Sequence, residues 1–244
     1  MSWPTVTAVL LLERPEQRRL AQQAVRQFLG QTYAAKRLLL LNTTGEPLWQ
    51  EPPPTVSEQQ IAMTPPPTPG ALYNLALRQI PAGYVKPWPV DDLFDPFLLA
   101  YQLGCLAAQP GYACLLGQQI RVHLPQQFAY LHTPPGGIAT TICHPAAPFL
   151  LVDEDDPVDP WSSLASRWQQ QSLVPSPVTR IAALQVSMYH AYSVWPESRW
   201  LGEQTPLPSG TVHLPALELN ALYFRLADCG IRLRLLPQRE VEAS

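Results

Sequence analysis

Asp91 and Asp92 stand side by side just after the short strand-like run Tyr84-Val85. Adjacent carboxylates at a strand end can hold a hard divalent cation against a diphosphate, or can simply form a solvated turn. A second acidic group, Asp153-Glu154-Asp155-Asp156, can present one carboxylate as a general base to a hydroxyl. Its bland alternative is a loop in water, because four like charges are costly to bury. His190, in MYHAYSVW, reads as a metal ligand or as a core or surface histidine with satisfied hydrogen bonds. Cys143-His144 places a thiol beside an imidazole, but neighbours in sequence do not make a catalytic dyad. Cys105, Cys114, Cys143 and Cys229 lack the CxxC pairing of a zinc site and read as small core residues in a reducing compartment. The chain has no G-x-G-x-x-G, P-loop, G-x-S-x-G or H-E-x-x-H, which removes the commonest dehydrogenase, NTPase, hydrolase and metalloprotease readings.

These residues need elements to position them. TVTAVLLL (Thr5–Leu12) is apolar on both faces, as a buried parallel strand must be. Pro15 suits the first turn of a helix carrying Leu20, Ala24, Val25, Phe28 and Leu29, and Gly30 ends it. Arg37–Leu41 is a second buried strand, closed by the turn cluster Asn42-Thr43-Thr44-Gly45. Strand, helix, strand is a βαβ unit, which binds ligands at the carboxyl ends of its strands. Residues 47–69 contain eight prolines and read as a semi-rigid polyproline connection on the surface, or as a PxxP partner site. A helix from Gly70 to Ile80 follows, then Tyr84-Val85, the acidic turn, and a helix over Phe94–Ala108 with Phe97, Leu98, Tyr101, Leu103 and Leu106 on its apolar face. Beyond Pro110 the expected elements are strands at Tyr112–Leu116, Gln119–Leu124 and Ile138–Cys143, with a loop at Thr133–Gly137 between the last two. A helix is expected at Trp161–Gln170; Ile181–Tyr189 fits strand or helix equally. The tail reads as a helix at Leu214–Ala227, a turn, and a basic strand at Ile231–Leu236.

Composition bounds the partners. The 244 residues, 46% of them apolar, can bury a substantial core, while 29 prolines are more than twice the usual share of about 5%. The charge of −3 argues against nonspecific nucleic-acid binding. No apolar run approaches the roughly 18 residues of a membrane helix, and no basic stretch leads into a cleavage site, so a cytoplasmic protein without a transmembrane segment is expected.

In order, these segments resemble family 2 glycosyltransferases of the GT-A fold, a Rossmann-like α/β architecture with a mostly parallel central sheet. TVTAVLLLERPEQ and FLGQTYAAKRLLLLNTTGEP look like that family's first strand, Arg-Pro helix start, Gln-Thr-Tyr turn and second strand. PGALYNLALRQIPAGYVKPWPVDDLFDP is similar to its Gly-Ala-x-x-Asn-x-Ala helix and Asp-rich metal motif. Glu154-Asp155 resembles the pair opening the acceptor-side helix, and HAYSVW the late His-Gly-x-Asn-Thr-Trp pattern. Each motif is weak alone; their order and spacing over roughly residues 4–196 carry the likeness.

The resemblance implies a transferase moving a sugar from a nucleoside-diphosphate sugar, with a UDP-sugar the expected donor, to an acceptor hydroxyl with inversion. It makes Asp91 and His190 ligands of Mn²⁺ or Mg²⁺. Asp155 becomes the general base, with Asp156 its neighbouring fallback. Leu12, Glu13, Arg14, Asn42 and Asn74 line the nucleotide site. It divides the chain into a nucleotide-sugar half at 1–109, an acceptor half at 110–200 and an extension at 201–244. Two departures stand out: Pro89 where the metal motif begins with Asp, and neutral Asn42 where an acidic residue meets the nucleoside. They keep open a non-catalytic nucleotide-sugar-binding or scaffolding protein on the same fold, and a Pro-rich adaptor is a third possibility. The acceptor, whether saccharide, small molecule, protein or modified nucleic-acid base, is not specified by any of these motifs.

Overall fold

The computed structural model describes residues 3–80, 82–108, 113–116, 119–125, 128–132, 142–143, 176–179, 184–191 and 193. In chain order these form β1 (Val6–Leu12), α1 (Arg18–Leu29), β2 (Lys36–Asn42), β3 (Val56–Gln60), α2 (Pro69–Arg78), β4 (Tyr84–Pro87), β5 (Asp92–Phe94) and α3 (Leu98–Ala108). Then follow β6 (Ala113–Leu116), β7 (Gln119–His123), β8 (Phe128–His132), β9 (Ile142–Cys143), β10 (Ser176–Thr179) and β11 (Gln185–Tyr189).

All seven residues of β1 are buried, and the strand pairs in parallel with β2 on one side and β4 on the other. Its alternation sorts two layers. Val6, Ala8, Leu10 and Leu12 pack with Ala24 and Phe28 of α1 and with Leu98, Leu99 and Leu106 of α3. Val9 and Leu11 pack with Leu72, Tyr73 and Ala76 of α2. A strand covered by helices on both faces must be apolar throughout, and this one is. The seven-stranded sheet runs β10-β6-β9-β4-β1-β2-β3. It is parallel except at β9, which is antiparallel to both β4 and β6. A four-stranded sheet, β5-β11-β7-β8, stands beside it. The α/β class and the mostly parallel central sheet are therefore as the sequence implies.

Local chemistry explains the ends. Thr68 Oγ1 accepts from Ala71 N at 3.2 Å and Pro69 opens α2, a cap contributing about 1 kcal/mol. Pro15 starts a single 3-10 turn, and α1 begins only at Arg18. The Gln-Thr-Tyr turn is a lock. Gln31 receives Leu99 N and donates to Asp95 O at 2.7 Å, Thr32 N donates to Pro96 O, and the Tyr33 hydroxyl donates to Pro4 O. Gly83 has φ +94 and its Cα faces Thr5 O so closely that a Cβ would lie 2.1 Å from it, so only glycine lets β4 join β1 there.

Four expectations change. The Pro-rich stretch contains β3, a five-residue edge strand hydrogen-bonded to β2. Val-Ser-Glu-Gln-Gln is too polar to announce a strand, and the pairing comes from β2; the flanking prolines suit an edge. Phe97 lies outside α3 and is 61% exposed, because the helix begins at Leu98, four residues later than the expected start at Phe94, which belongs to β5; the helix buries Leu98, Leu99, Gln102, Leu103 and Leu106. Ile181–Tyr189 resolves to β11 over its last five residues, and β8 and β10 carry no pattern that marks them in advance. Asp92 belongs to β5 and is buried, as is Asp91, so the pair is not a solvated turn. The expected elements at 133–137, 161–170, 214–227 and 231–236 lie outside the described residues. Among the described residues no helix is long and apolar enough to cross a membrane.

Candidate functional site

The carboxyl ends of β1, β2 and β4 form one edge of the large sheet. Leu12 and Asn42 are register partners at that edge, and Thr43 N donates to Leu12 O at 3.0 Å. Asn42 is fully buried. Its Nδ2 donates to Glu46 O at 2.9 Å and to Glu58 Oε1 at 2.6 Å. Its Oδ1 accepts from Thr44 N at 2.9 Å and Thr44 Oγ1 at 2.7 Å. The side chain thereby shapes the loop after β2, and all its hydrogen-bonding capacity is used within the chain. Glu58, reaching from β3, also accepts from Leu48 N and from Gln60 Nε2. No sequence pattern points to Glu58, since its placement depends on the pairing of β3.

Beyond β4, Trp88 fixes the path to the aspartates. It is fully buried, donates from Nε1 to Ala24 O at 2.9 Å, and stacks on Phe94 with ring centroids 3.7 Å apart. Held by this anchor, Asp91 is only 8% exposed. Burial, then the neighbouring Asp92 charge and the Glu13 carboxylate, push its acid up to about 7, opposed by hydrogen bonds that include the Ser193 hydroxyl. His190 Nε2 stands 3.9 Å from Asp91 Oδ2, and burial lowers the affinity of that imidazole for a proton. Ser193 Oγ accepts from His190 N at 3.0 Å and Ser193 N donates to His190 O at the same distance, so a tight turn presents both side chains to Asp91. Glu13, half-buried just past β1, is raised by its own burial and lowered by Arg14, which is exposed. Tyr73 of α2 is pushed well above its usual range by burial and then by Glu13, Asp91 and Asp92, and buried Asn74 follows it.

Asp92 has a different environment. Its Oδ2 accepts from Gln185 Nε2 at 2.6 Å and from Ser187 Oγ at 3.1 Å, while Gln185 Oε1 accepts from Lys86 Nζ at 2.8 Å. Burial raises its acid to about 6, against the pull of these partners and of the Lys86 and Arg121 charges. Asp92 is thus engaged with Gln185 and Ser187, whereas Asp91 meets His190 and Ser193.

The structure accordingly brings Glu13, Asp91 and His190 into one electrostatic neighbourhood and puts Leu12 and Asn42 side by side on the same sheet edge. Asp155 and Asp156 lie outside the described residues. Among the described residues no three His, Cys, Asp or Glu side chains are grouped as a ready metal cage. A carboxylate and an imidazole are nonetheless a donor pair that Mn²⁺ accepts more readily than the harder, oxygen-seeking Mg²⁺, provided that a diphosphate and water complete the ligand set. Lys86, Gln185, Ser187 and Ser193 escape sequence reading: the first three are joined only by strand pairing, while the one signal for Ser193 is its place in HAYSVW, three residues after His190. A cavity of about 280 Å³, lined by residues such as Thr7, Arg37, Thr55 and Gln79, opens at the amino ends of β1–β3, the opposite edge from these groups.

No protein-family model matches the chain, and no curated protein sequence matches it. Solved structures do. A mannosyltransferase, PcManGT of Pyrobaculum calidifontis, in complex with GDP-Man and Mn²⁺, superposes with TM-score 0.54 at 13% identity, over 78% of this chain and 57% of that one. TarS 1-349 of S. aureus in complex with UDP gives TM-score 0.52 at 9% identity, over 78% and 59%. The same TarS fragment alone gives 0.50 at 10% identity over the same shares. The chain spans less than two thirds of the length of these proteins. With its parallel β1–β4 core, its helices on both faces and its second small sheet, the chain has a glycosyltransferase GT-A-like fold.

Proposed function

We propose that this protein is a glycosyltransferase that takes a sugar from a nucleoside-diphosphate sugar, with a UDP-sugar as the expected donor, and transfers it to an acceptor hydroxyl with inversion. The observation that carries the reading is the meeting of Asp91 and His190, 3.9 Å apart, at the carboxyl edge of a GT-A-like sheet. Structures of this fold hold UDP in one neighbour and GDP-Man with Mn²⁺ in another. In this reading Asp91 and His190 hold Mn²⁺ or Mg²⁺, which neutralises charge developing on the leaving diphosphate. Leu12, Glu13 and Arg14 border the nucleoside from β1. Asn42 acts by shaping the rim with Glu58, and Asn74 by supporting α2. Asp155, with Asp156 as fallback, takes the proton from the acceptor hydroxyl as its oxygen bonds to the anomeric carbon and the nucleoside diphosphate departs from the opposite side.

A thermal-shift panel of nucleotides and nucleotide sugars, with and without Mn²⁺, tests the donor class. A ligand at 100 times its Kd stabilises the folded state by about 2.7 kcal/mol. A metal-dependent shift with one nucleoside diphosphate supports the reading, and none with any member contradicts it. Asp155→Asn should keep donor affinity while turnover falls about 10²- to 10⁴-fold. Pro89 and the internally satisfied Asn42 favour a second reading, a non-catalytic nucleotide-sugar-binding protein. It predicts donor binding without transfer or hydrolysis.

A further inference from the structure

Asp91 precedes β5 and His190 follows β11, so their approach depends on how those two strands are aligned. The strands are antiparallel, with Gln185 opposite Phe94, Val186 opposite Leu93 and Ser187 opposite Asp92. Backbone pairing of a three-residue strand is a weak determinant of register, since a slip changes which side chains face which. Side chains supply what the short strand lacks. Asp92 Oδ2 takes hydrogen bonds from its cross-strand partner Ser187 and from Gln185, two residues earlier on the same face of β11.

Gln185 also reaches the other sheet. Its amide oxygen accepts from Lys86 Nζ of β4, and its amide nitrogen donates to the Asp92 carboxylate. Only this orientation of the amide is compatible with a cation on one side and an anion on the other. Lys86 and Gln185 are both fully buried, and Asp92 is 5% exposed. Removing two charges from water costs more than an ordinary hydrogen bond returns, so such a network carries weak stability value and is best read through what it aligns.

We infer that Gln185, with Lys86 behind it and Ser187 beside it, is a positioning residue that locks β11 against Asp92 and so brings His190 to Asp91. The inference rests on the site proposed above, but its first readout is geometric and independent of donor or metal. A slipped or loosened β11 would move His190 and the turn holding Ser193 while leaving the β1–β4 core intact.

The test compares Gln185→Leu, Lys86→Met and Asp92→Asn with the wild type in crystal structures and in Mn²⁺-dependent UDP titrations well below the unfolding temperature. Asn at 92 keeps an acceptor for Gln185 and Ser187, so Asp92→Asn should hold the Asp91–His190 separation, and its loss of Mn²⁺·UDP affinity reports the missing negative charge beside Asp91 without any change of alignment. Gln185→Leu should widen the separation and weaken binding about tenfold or more, with Lys86→Met between the two. Should Gln185→Leu not fold, Lys86→Met and Ser187→Ala carry the same comparison. A folded Gln185→Leu protein with unchanged separation overturns the inference, whatever it binds. If the wild type binds no Mn²⁺·UDP while the separation still opens in the variant, the alignment role stands and the donor assignment falls.

Discussion

Around Asn42, burial is matched atom by atom: two donors and one carbonyl oxygen find four partners within the loop after β2 and on β3. Around Asp91, in the turn between β4 and β5, burial sets charge against charge. Asp92 and Glu13 both push the Asp91 acid upward, and the nearest imidazole is itself held toward its neutral form. Both side chains are buried, Asn42 at the end of β2 and Asp91 beyond the end of β4. The difference is that the first has no hydrogen-bonding capacity left for a ligand, whereas the second is a concentration of negative potential that a cation would relieve. Strongly perturbed carboxylates in one place are where chemistry is expected, and a saturated amide is where architecture is expected.

The largest effect should come from Asp91→Ala. Calorimetric titration of UDP with Mn²⁺ should show affinity lost by more than the roughly 10- to 100-fold typical of an outer partner's removal, with folding preserved. Equal loss in Asn42→Ala would break the comparison between the rims.

Next comes pH. The Asp91 acid lies at about 7 in the folded chain against 3.8 for an ordinary carboxyl, and Asp92 at about 6. Between those limits the folded state binds more protons than the unfolded one, so stability of the metal-free protein should fall as pH rises from about 4 to 7. Urea unfolding across that window in the presence of a chelator checks the sign. Asp91→Asn should flatten the slope, and a wild-type slope of the opposite sign would remove the picture of a strained carboxylate rim.

The smallest effect on ligand, and a distinct one on stability, belongs to Asn42→Ala. Loss of a saturated buried amide should cost about 1–3 kcal/mol, which for a chain of this size lowers Tm by about 2–4 °C per kcal/mol. Donor affinity should change by no more than about tenfold, through loosening of the loop.

Legibility divides along the same line. β1, β2, α1 and α2 could be read because their patterns are local: an unbroken apolar run in β1, Pro15 and Gly30 on either side of α1, and apolar residues at helical spacing after Gly70 in α2. Asp91 and His190 could be proposed because they fall where the resemblance to family 2 glycosyltransferases implies a metal carboxylate and a late histidine. Glu58, Gln185 and Lys86 were invisible, since each acquires its role only through pairing between distant strands. Phe97 misled for the opposite reason: a strong apolar residue one step before a helix looks like part of its buried face.

In the proposed site Asp91 and His190 together face the diphosphate of the donor. Crystals soaked with UDP and Mn²⁺, with anomalous diffraction recorded for manganese, test it most directly. One strong peak is expected within about 2.5 Å of an Asp91 carboxylate oxygen, with His190 beside it and the phosphates completing the ligand set. UDP bound at this edge without a manganese peak, or manganese held away from Asp91, would contradict it.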